Sequence, residues 1–451
     1  KNSTRESHMS QIAEYIRHAA HPVCGSPEDF DPLLERCANA RVVLLGESTH
    51  GTHEFYQARA EITRRLITEQ GFHALALEAD WPDAWRVGQF VKGVNGDGAA
   101  TEALAGFKRF PQWMWRNSDM LDFVGWLRSH NDESITPEDK VGIYGLDLYS
   151  LNDSITAVLE YLKEVDPAAA QHFSRRYACF EHFGGNTQRY GLFTGTGISK
   201  SCEEEVVSAV AELRRSRGGY LGLDGQTAED AYFCAEQNAI VVADAENYYR
   251  TMLRGDVDSW NLRDRHMMDT LISLMEHLDK IHGHSKVVVW AHNSHVGHAT
   301  ATQMGRRGEF NIGQLAREKF GNEAFLVGFT THSGTVTAAS EWDAPCERKS
   351  VRAALAYSYE NLFHSTGLPQ FWLDFSKNPD VAESLRHPLL ERAIGVIYRP
   401  ESERASHYFT ASLPDQFDGI FHFDETRAVE PLEQTAEWEV GEVDETYPSG
   451  L

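Results

Sequence analysis

Short apolar runs recur along the chain with amphipathic stretches between them. Val42-Val43-Leu44-Leu45-Gly46 is the first, and its continuous apolar character suits a strand covered on both faces rather than one with a wet side. Ala74–Leu77 is the second. Between them, His53 to Gln70 places Phe55, Ala58, Ile62 and Leu66 at helical spacing, with Gly71 as its C-terminal cap. That is a β-α-β unit. The pattern repeats at Val141–Leu146, followed by a helix over Ser150–Lys163 with Leu151, Ile155, Val158 and Leu162 on one face. Further strands are predicted at 287–290, 325–329, 371–373 and 394–397. Strands alternating with helices predict an α/β fold, a mostly parallel, doubly wound sheet flanked by helices.

Two stretches interrupt this alternation. Residues 165–285 lack strand signals and carry long helical patterns at Glu203–Arg217 and Ala228–Met252, which predicts a helical insertion roofing the active-site cleft. Gln89–Arg116 is irregular and holds Phe107, Phe110, Trp113 and Trp115; core packing is the favoured reading, lining of a pocket the competing one. There is no internal repeat and no low-complexity linker, so residues 10–451 are expected to form a single domain. Residues 1–9, KNSTRESHM, have the look of a vector remnant and are set aside.

Composition narrows the function classes. Of 451 residues, 41% are hydrophobic and 24% charged, which is a globular balance. Lys plus Arg number 42 against 67 Asp plus Glu, a formal charge of −25 that repels nucleic acid and anionic membranes. No apolar run approaches the roughly 18 residues of a membrane span, and no basic-then-apolar leader opens the chain. The six cysteines form no C-x-x-C pair, so reduced thiols and a cytoplasmic location are expected.

Ligands of an open parallel sheet bind beyond the carboxyl ends of its strands. The first strand runs into Gly46-Glu47-Ser48-Thr49-His50-Gly51, the second into Glu78-Ala79-Asp80-Trp81, the third into Asp147, and the strand at 287 into Ala291-His292-Asn293-Ser294-His295. Each group alone has a structural explanation: a helix cap, an ion pair, a satisfied loop histidine. Carboxylates and imidazoles together at four strand ends point to a site.

The sequence around Gly46 is neither G-x-G-x-x-G nor a P-loop, and no G-x-S-x-G occurs, so Ser48 is not set up as a nucleophile. Activated water is the alternative. An imidazole beside a carboxylate suits that task, with His50 and Glu78 as the expected pair. Arg59, on the following helix, could meet a carbonyl oxygen or a carboxylate, or simply face solvent. His50-x-x-His53 and His292-x-x-His295-x-x-His298 raise a metal reading, but neither is an H-E-x-x-H helix. No metal and no cofactor are expected.

The run VVLLGESTHGTHEFYQARAEITRRLITEQGFHALALEADW, then YGLDLYSL at 144–151, SWNLRDRHM at 259–267 and KVVVWAHNSHVGH, resembles the erythromycin esterase family, including homologues labelled as succinoglycan biosynthesis proteins. The resemblance implies opening of a macrolide lactone by water, without a covalent serine intermediate and without metal. It implies His50 as general base and Glu78 as its supporting acid, with Glu47, Arg59, His292 and His295 lining the cleft; either Glu78 or Glu47 is expected to orient His50, so the expected catalytic set is His50, Glu78 and Glu47. Asp147 joins them as a candidate for substrate binding or oxyanion stabilisation. The partner is then a small-molecule ester, and the acidic surplus could steer a cationic amino-sugar macrolide inward. Three other readings stay open: an ester such as an acylated saccharide or secondary metabolite, a non-catalytic metabolite-binding protein, and a metallohydrolase. Oligomeric state is left open as well.

Overall fold

The computed structural model describes residues 2–221, 226–253 and 255–441; the side chains of 2–6, 226 and 227 lie outside that description. Among the described residues, eleven strands are formed: β1 (His21–Pro22), β2 (Val42–Leu45), β3 (Ala74–Asp80), β4 (Gly142–Asp147), β5 (Val287–Trp290), β6 (Ala324–Ala338), β7 (Glu347–Val351), β8 (Gln370–Asp374), β9 (Leu389–Arg392), β10 (Tyr408–Ala411) and β11 (Gly419–Thr426). The main sheet runs β1-β8-β11-β6-β2-β5-β3-β4, with β7 on β6, while β9 and β10 pair separately. From β11 to β4 every pairing is parallel, and antiparallel β8 and β1 close the other edge. The fold is therefore the α/β architecture that the alternation predicts.

Val42–Leu45 and Val287–Trp290 lie fully buried at the centre of the sheet, as their unbroken apolar character requires. Val43, Leu45 and Trp290 face one core with the helix His53–Gln70; Val42, Leu44 and Val289 face the other. Gly71 ends that helix in the left-handed region, φ 65°, where its N–H reaches the Leu66 carbonyl.

Several expectations are corrected. Ile394 to Ile397 is not a strand: Ile394 bridges Thr49 and Ile397 bridges Ala339, each as an isolated pair. The helical layer starts earlier and ends earlier than 165–285. Helices Leu151–Val165, Pro167–Tyr177, Thr187–Gly195, Glu203–Tyr220 and Gln226–Thr251 share a core of their own that includes Leu151, Leu162, Tyr190, Leu213 and Val242. The helix Asp256–His282 instead turns Met267, Leu271, Leu274 and Leu278 onto the sheet. Cys179 and Cys202 are joined in a disulfide, which removes the ground for reading all six cysteines as reduced. Spacing alone hid the pair, because their Cα atoms come within 6.0 Å only when the start of the Glu203 helix folds against the 178–183 turn. Residues 2–9 continue into the first helix, Asn2–Ala19.

Candidate active site

The loop after β2 threads a narrow gap. A Cβ on Gly46 would stand 2.1 Å from Asn293 Oδ1, and one on Gly51 1.9 Å from the Thr337 carbonyl oxygen, so both positions need a residue without one. The tight path brings Glu47 and His50 under the carboxyl edge of the sheet.

His50 Nδ1 lies 2.9 Å from Glu47 Oε1, and the other Glu47 oxygen accepts from Arg59 Nη2 at 2.6 Å. Glu47 and Arg59 are completely buried, the guanidinium lying over the rings of Tyr56 and Trp290 at 4.8 and 5.0 Å. Since a carboxylate only accepts, this contact places a proton on Nδ1, and in the neutral ring Nε2 is then the lone pair. Glu47, not Glu78, is therefore the carboxylate that orients His50. Arg59 is not a cleft residue either; it stands behind Glu47, on the side away from the cavity.

Glu78 at the end of β3 serves a second cluster. It accepts from the His292 backbone N–H at 2.8 Å and from Arg263 Nη2 at 2.8 Å, with His295 Nε2 at 3.3 Å. Arg263 also grips Asp147, Nε to Oδ1 at 3.0 Å and Nη2 to Oδ2 at 2.6 Å. Burial opposes the charge on Glu78, but His295, His50 and Arg263 hold its carboxyl well below the ordinary 4.5. Asp147 is likewise lowered, because Arg263 outweighs burial.

His295 stacks on Trp260 at 4.5 Å and holds Asp264 through Nδ1 at 2.9 Å. Burial works against its protonation, yet Asp264 and Glu78 push the imidazole up to about 9. His292 goes the other way. Burial and the neighbouring His50, 4.9 Å between ring centres, press it down to about 3, so it is neutral. Its Nδ1 accepts from the Ser294 N–H at 3.2 Å, which puts the proton on Nε2, on the side of the Ser48 backbone.

His50, Glu78, Asp147 and Arg263 line one cavity of about 180 Å³ together with Tyr149, Phe107, Phe110 and Trp115. Phe107 and Trp115 belong to the core and to this lining at once, so both readings of that aromatic stretch hold. Glu47, Arg59, His292 and His295 stand behind the wall. Phe110 and Trp342, rings 4.9 Å apart, border both this cavity and an outer one of about 540 Å³, whose far side carries Tyr248, Tyr249 and Met252 of the helical layer. Of the histidines of the metal reading, His53 pairs with Asp119 at 2.8 Å and His298 with Thr300 at 2.9 Å.

A profile described as Erythromycin esterase matches residues 67–426. The chain belongs to the erythromycin esterase family. Glu78, Asp147, Arg263, His292 and His295 lie within the matched span; Glu47, His50 and Arg59 precede it. The chain is 21% identical to erythromycin esterase type II of Escherichia coli over 424 residues, 89% of this chain and 94% of that one. It is also 21% identical to the putative hydrolase YbfO of Bacillus subtilis (strain 168), over 90% of this chain and 89% of the relative. Among solved structures, a Bacillus cereus protein superposes with a TM-score of 0.78 at 21% identity, covering 94% of this chain and 99% of that one. The erythromycin esterase EreC, a mutant in its open conformation, gives 0.59 at 18%, covering 90% and 95%. These likenesses fix the fold of this erythromycin esterase family member.

Arg263 is the residue that sequence reasoning missed. It sits inside the SWNLRDRHM segment, but a helical arginine next to an aspartate has no pattern that separates it from a solvated one. Only the fold brings it to Glu78 and Asp147.

Proposed function

We propose that the protein is a hydrolase that opens the ester of a macrolide lactone, with His50 as general base toward a water molecule. The observation that carries this reading is the buried Arg59–Glu47–His50 chain, which ends at the cavity wall with the proton on Nδ1 and Nε2 free. Arg59 fixes Glu47, Glu47 fixes the tautomer, and Nε2 takes the proton of water as it attacks the ester carbonyl. The imidazolium formed is stabilised by the Glu47 carboxylate. Arg263, held by Glu78 and Asp147 yet facing the same cavity, supplies positive charge to the developing oxyanion. No serine is needed as a nucleophile.

The cavity at His50 is smaller than the roughly 300–1,000 Å³ of ordinary ligand pockets. It fits the reacting ester and its nearest atoms, and the outer space beyond Phe110 and Trp342 takes the bulk of a large ring. The same reading carries a cytoplasmic location, with antibiotic resistance as its biological consequence.

A panel of macrolides and acyl sugars, followed by mass spectrometry, tests it. A macrolide that gains the mass of one water supports the proposal. Turnover of acyl sugars alone would move the substrate to another ester, and saturable binding without product would make this a binding protein.

A further inference from the structure

A second group of histidines lies on the sheet away from the strand ends discussed so far. His332 is on β6, His422 and Asp424 are on β11, and His364 is the last residue of the helix Tyr359–His364. The two strands pair in parallel with Phe423 opposite Thr331 and Glu425 opposite Ser333, which sets Asp424 beside His332. One side-chain ligand atom from each of His332, His364 and Asp424 falls within 4.8 Å of the others. His364 Nδ1 is 2.8 Å from Asp424 Oδ1, and the rings of His332 and His364 lie face to face at 3.8 Å.

We propose that His332, His364 and Asp424 form a binding site for a borderline divalent transition-metal ion, with zinc as its representative, and water completing the coordination. Two imidazoles and a carboxylate are a donor set suited to zinc, copper, nickel or cobalt rather than to calcium or magnesium. Ligand atoms of a tetrahedral zinc site sit about 3.3 Å apart when the bonds are about 2.0–2.1 Å. Reaching that spacing from atoms already within 4.8 Å of one another is a side-chain adjustment, and His364 and Asp424 are free to make it, with side chains 48% and 29% exposed. His332 Nδ1 lies 3.2 Å from Ser333 Oγ, leaving its Nε2 for the ion. His422, fully buried, holds its Nε2 3.5 Å from the same Asp424 oxygen, the kind of outer contact that aims a ligating carboxylate. The ion would tie the Tyr359–His364 helix to β6 and β11. None of these residues lines the His50 cavity, so the site stands apart from the proposed hydrolysis.

The test uses the full chain without an affinity tag, treated with chelator and exchanged into metal-free buffer. Zinc chloride is titrated by calorimetry, and cobalt(II) is followed by its visible absorption. The expected result is one saturable equivalent in wild type and in His50→Ala, weakened at least about tenfold in His364→Ala and in Asp424→Asn. His364 is half exposed, so its replacement leaves the fold intact, and circular dichroism checks this. The proposal is overturned by no saturable binding below about 100 µM, or by binding that survives both His364→Ala and Asp424→Asn. Loss of the equivalent only in His50→Ala would place the ion in the hydrolytic cavity and overturn it equally.

Discussion

Replacing Glu47 by glutamine isolates what its charge does, because the side chain keeps its shape. In the native site one oxygen receives His50 Nδ1–H at 2.9 Å and the other receives Arg59 Nη2–H at 2.6 Å. An amide offers one acceptor and one donor. Arg59 is buried, permanently charged and can only donate, so it takes the amide oxygen. The NH2 then faces His50 Nδ1, which must become an acceptor, and the imidazole proton moves to Nε2. The free lone pair at the cavity is lost. A base held in the wrong tautomer costs between about 10²- and 10⁴-fold in rate, or about 3–5 kcal/mol of activation free energy. Glu47 does not line the cavity, so KM for any ester turned over in the panel should hardly change while kcat falls. Adding Arg59→Met lets the amide turn its oxygen back to His50, so the double variant should be faster than Glu47→Gln alone. Steady-state kinetics on folded protein, with urea unfolding as the control, reads both. A Glu47→Gln enzyme with more than a third of wild-type kcat, or a double variant no faster than the single one, would refute this account of the chain.

Three further outcomes follow from the same geometry. Arg263→Ala leaves Glu78 and Asp147 buried without their shared cation, and should cut kcat/KM at least about 100-fold while lowering stability by about 3–5 kcal/mol; kinetics and urea unfolding measure the two losses. Stability should fall at both ends of the pH range. His295, raised to about 9, contributes stability that is complete below about 6.5 and lost as pH rises through 9, whereas neutral His292, lowered to about 3, contributes stability above 6.5 that is lost as pH falls toward 3. The urea midpoint against pH should show both limbs in wild type, and His295→Asn should flatten the alkaline one. Under denaturing conditions, non-reduced protein should titrate four thiols and reduced protein six, and Cys202→Ser should cost about 3 kcal/mol of stability in the helical layer.

The parallel core was readable because its strands are buried on both faces and carry unbroken apolar runs, as at 42–45 and 287–290. β7, β9 and β10 were not, since Glu347–Val351, Leu389–Arg392 and Tyr408–Ala411 mix charged, polar and apolar residues without a clean period. The strand-end rule pointed to Glu47, His50, Glu78, Asp147, His292 and His295, which the fold sets in two hydrogen-bonded clusters. It did not reveal who pairs with whom. Glu47 is three residues from His50, and whether it or Glu78 meets the ring depends on how the loop turns at Gly46 and Gly51, a packing effect set by Asn293 and Thr337. Arg59 read as well as a surface residue as it did as a charge for a carbonyl oxygen or a carboxylate, because helical spacing does not say what lies above a given face. The boundary of the helical layer was misplaced for a related reason. Leu151–Val165 and Asp256–His282 are both amphipathic, and only the contacts show that the first joins the layer while the second packs on the sheet.

The central claim is that His50 takes a proton from the attacking water. The most direct measurement is turnover of the same macrolide by wild type and His50→Ala, side by side at equal folded concentration. The account predicts lactone opening by wild type and a loss of at least about 100-fold in the variant; near-wild-type turnover by His50→Ala would contradict it.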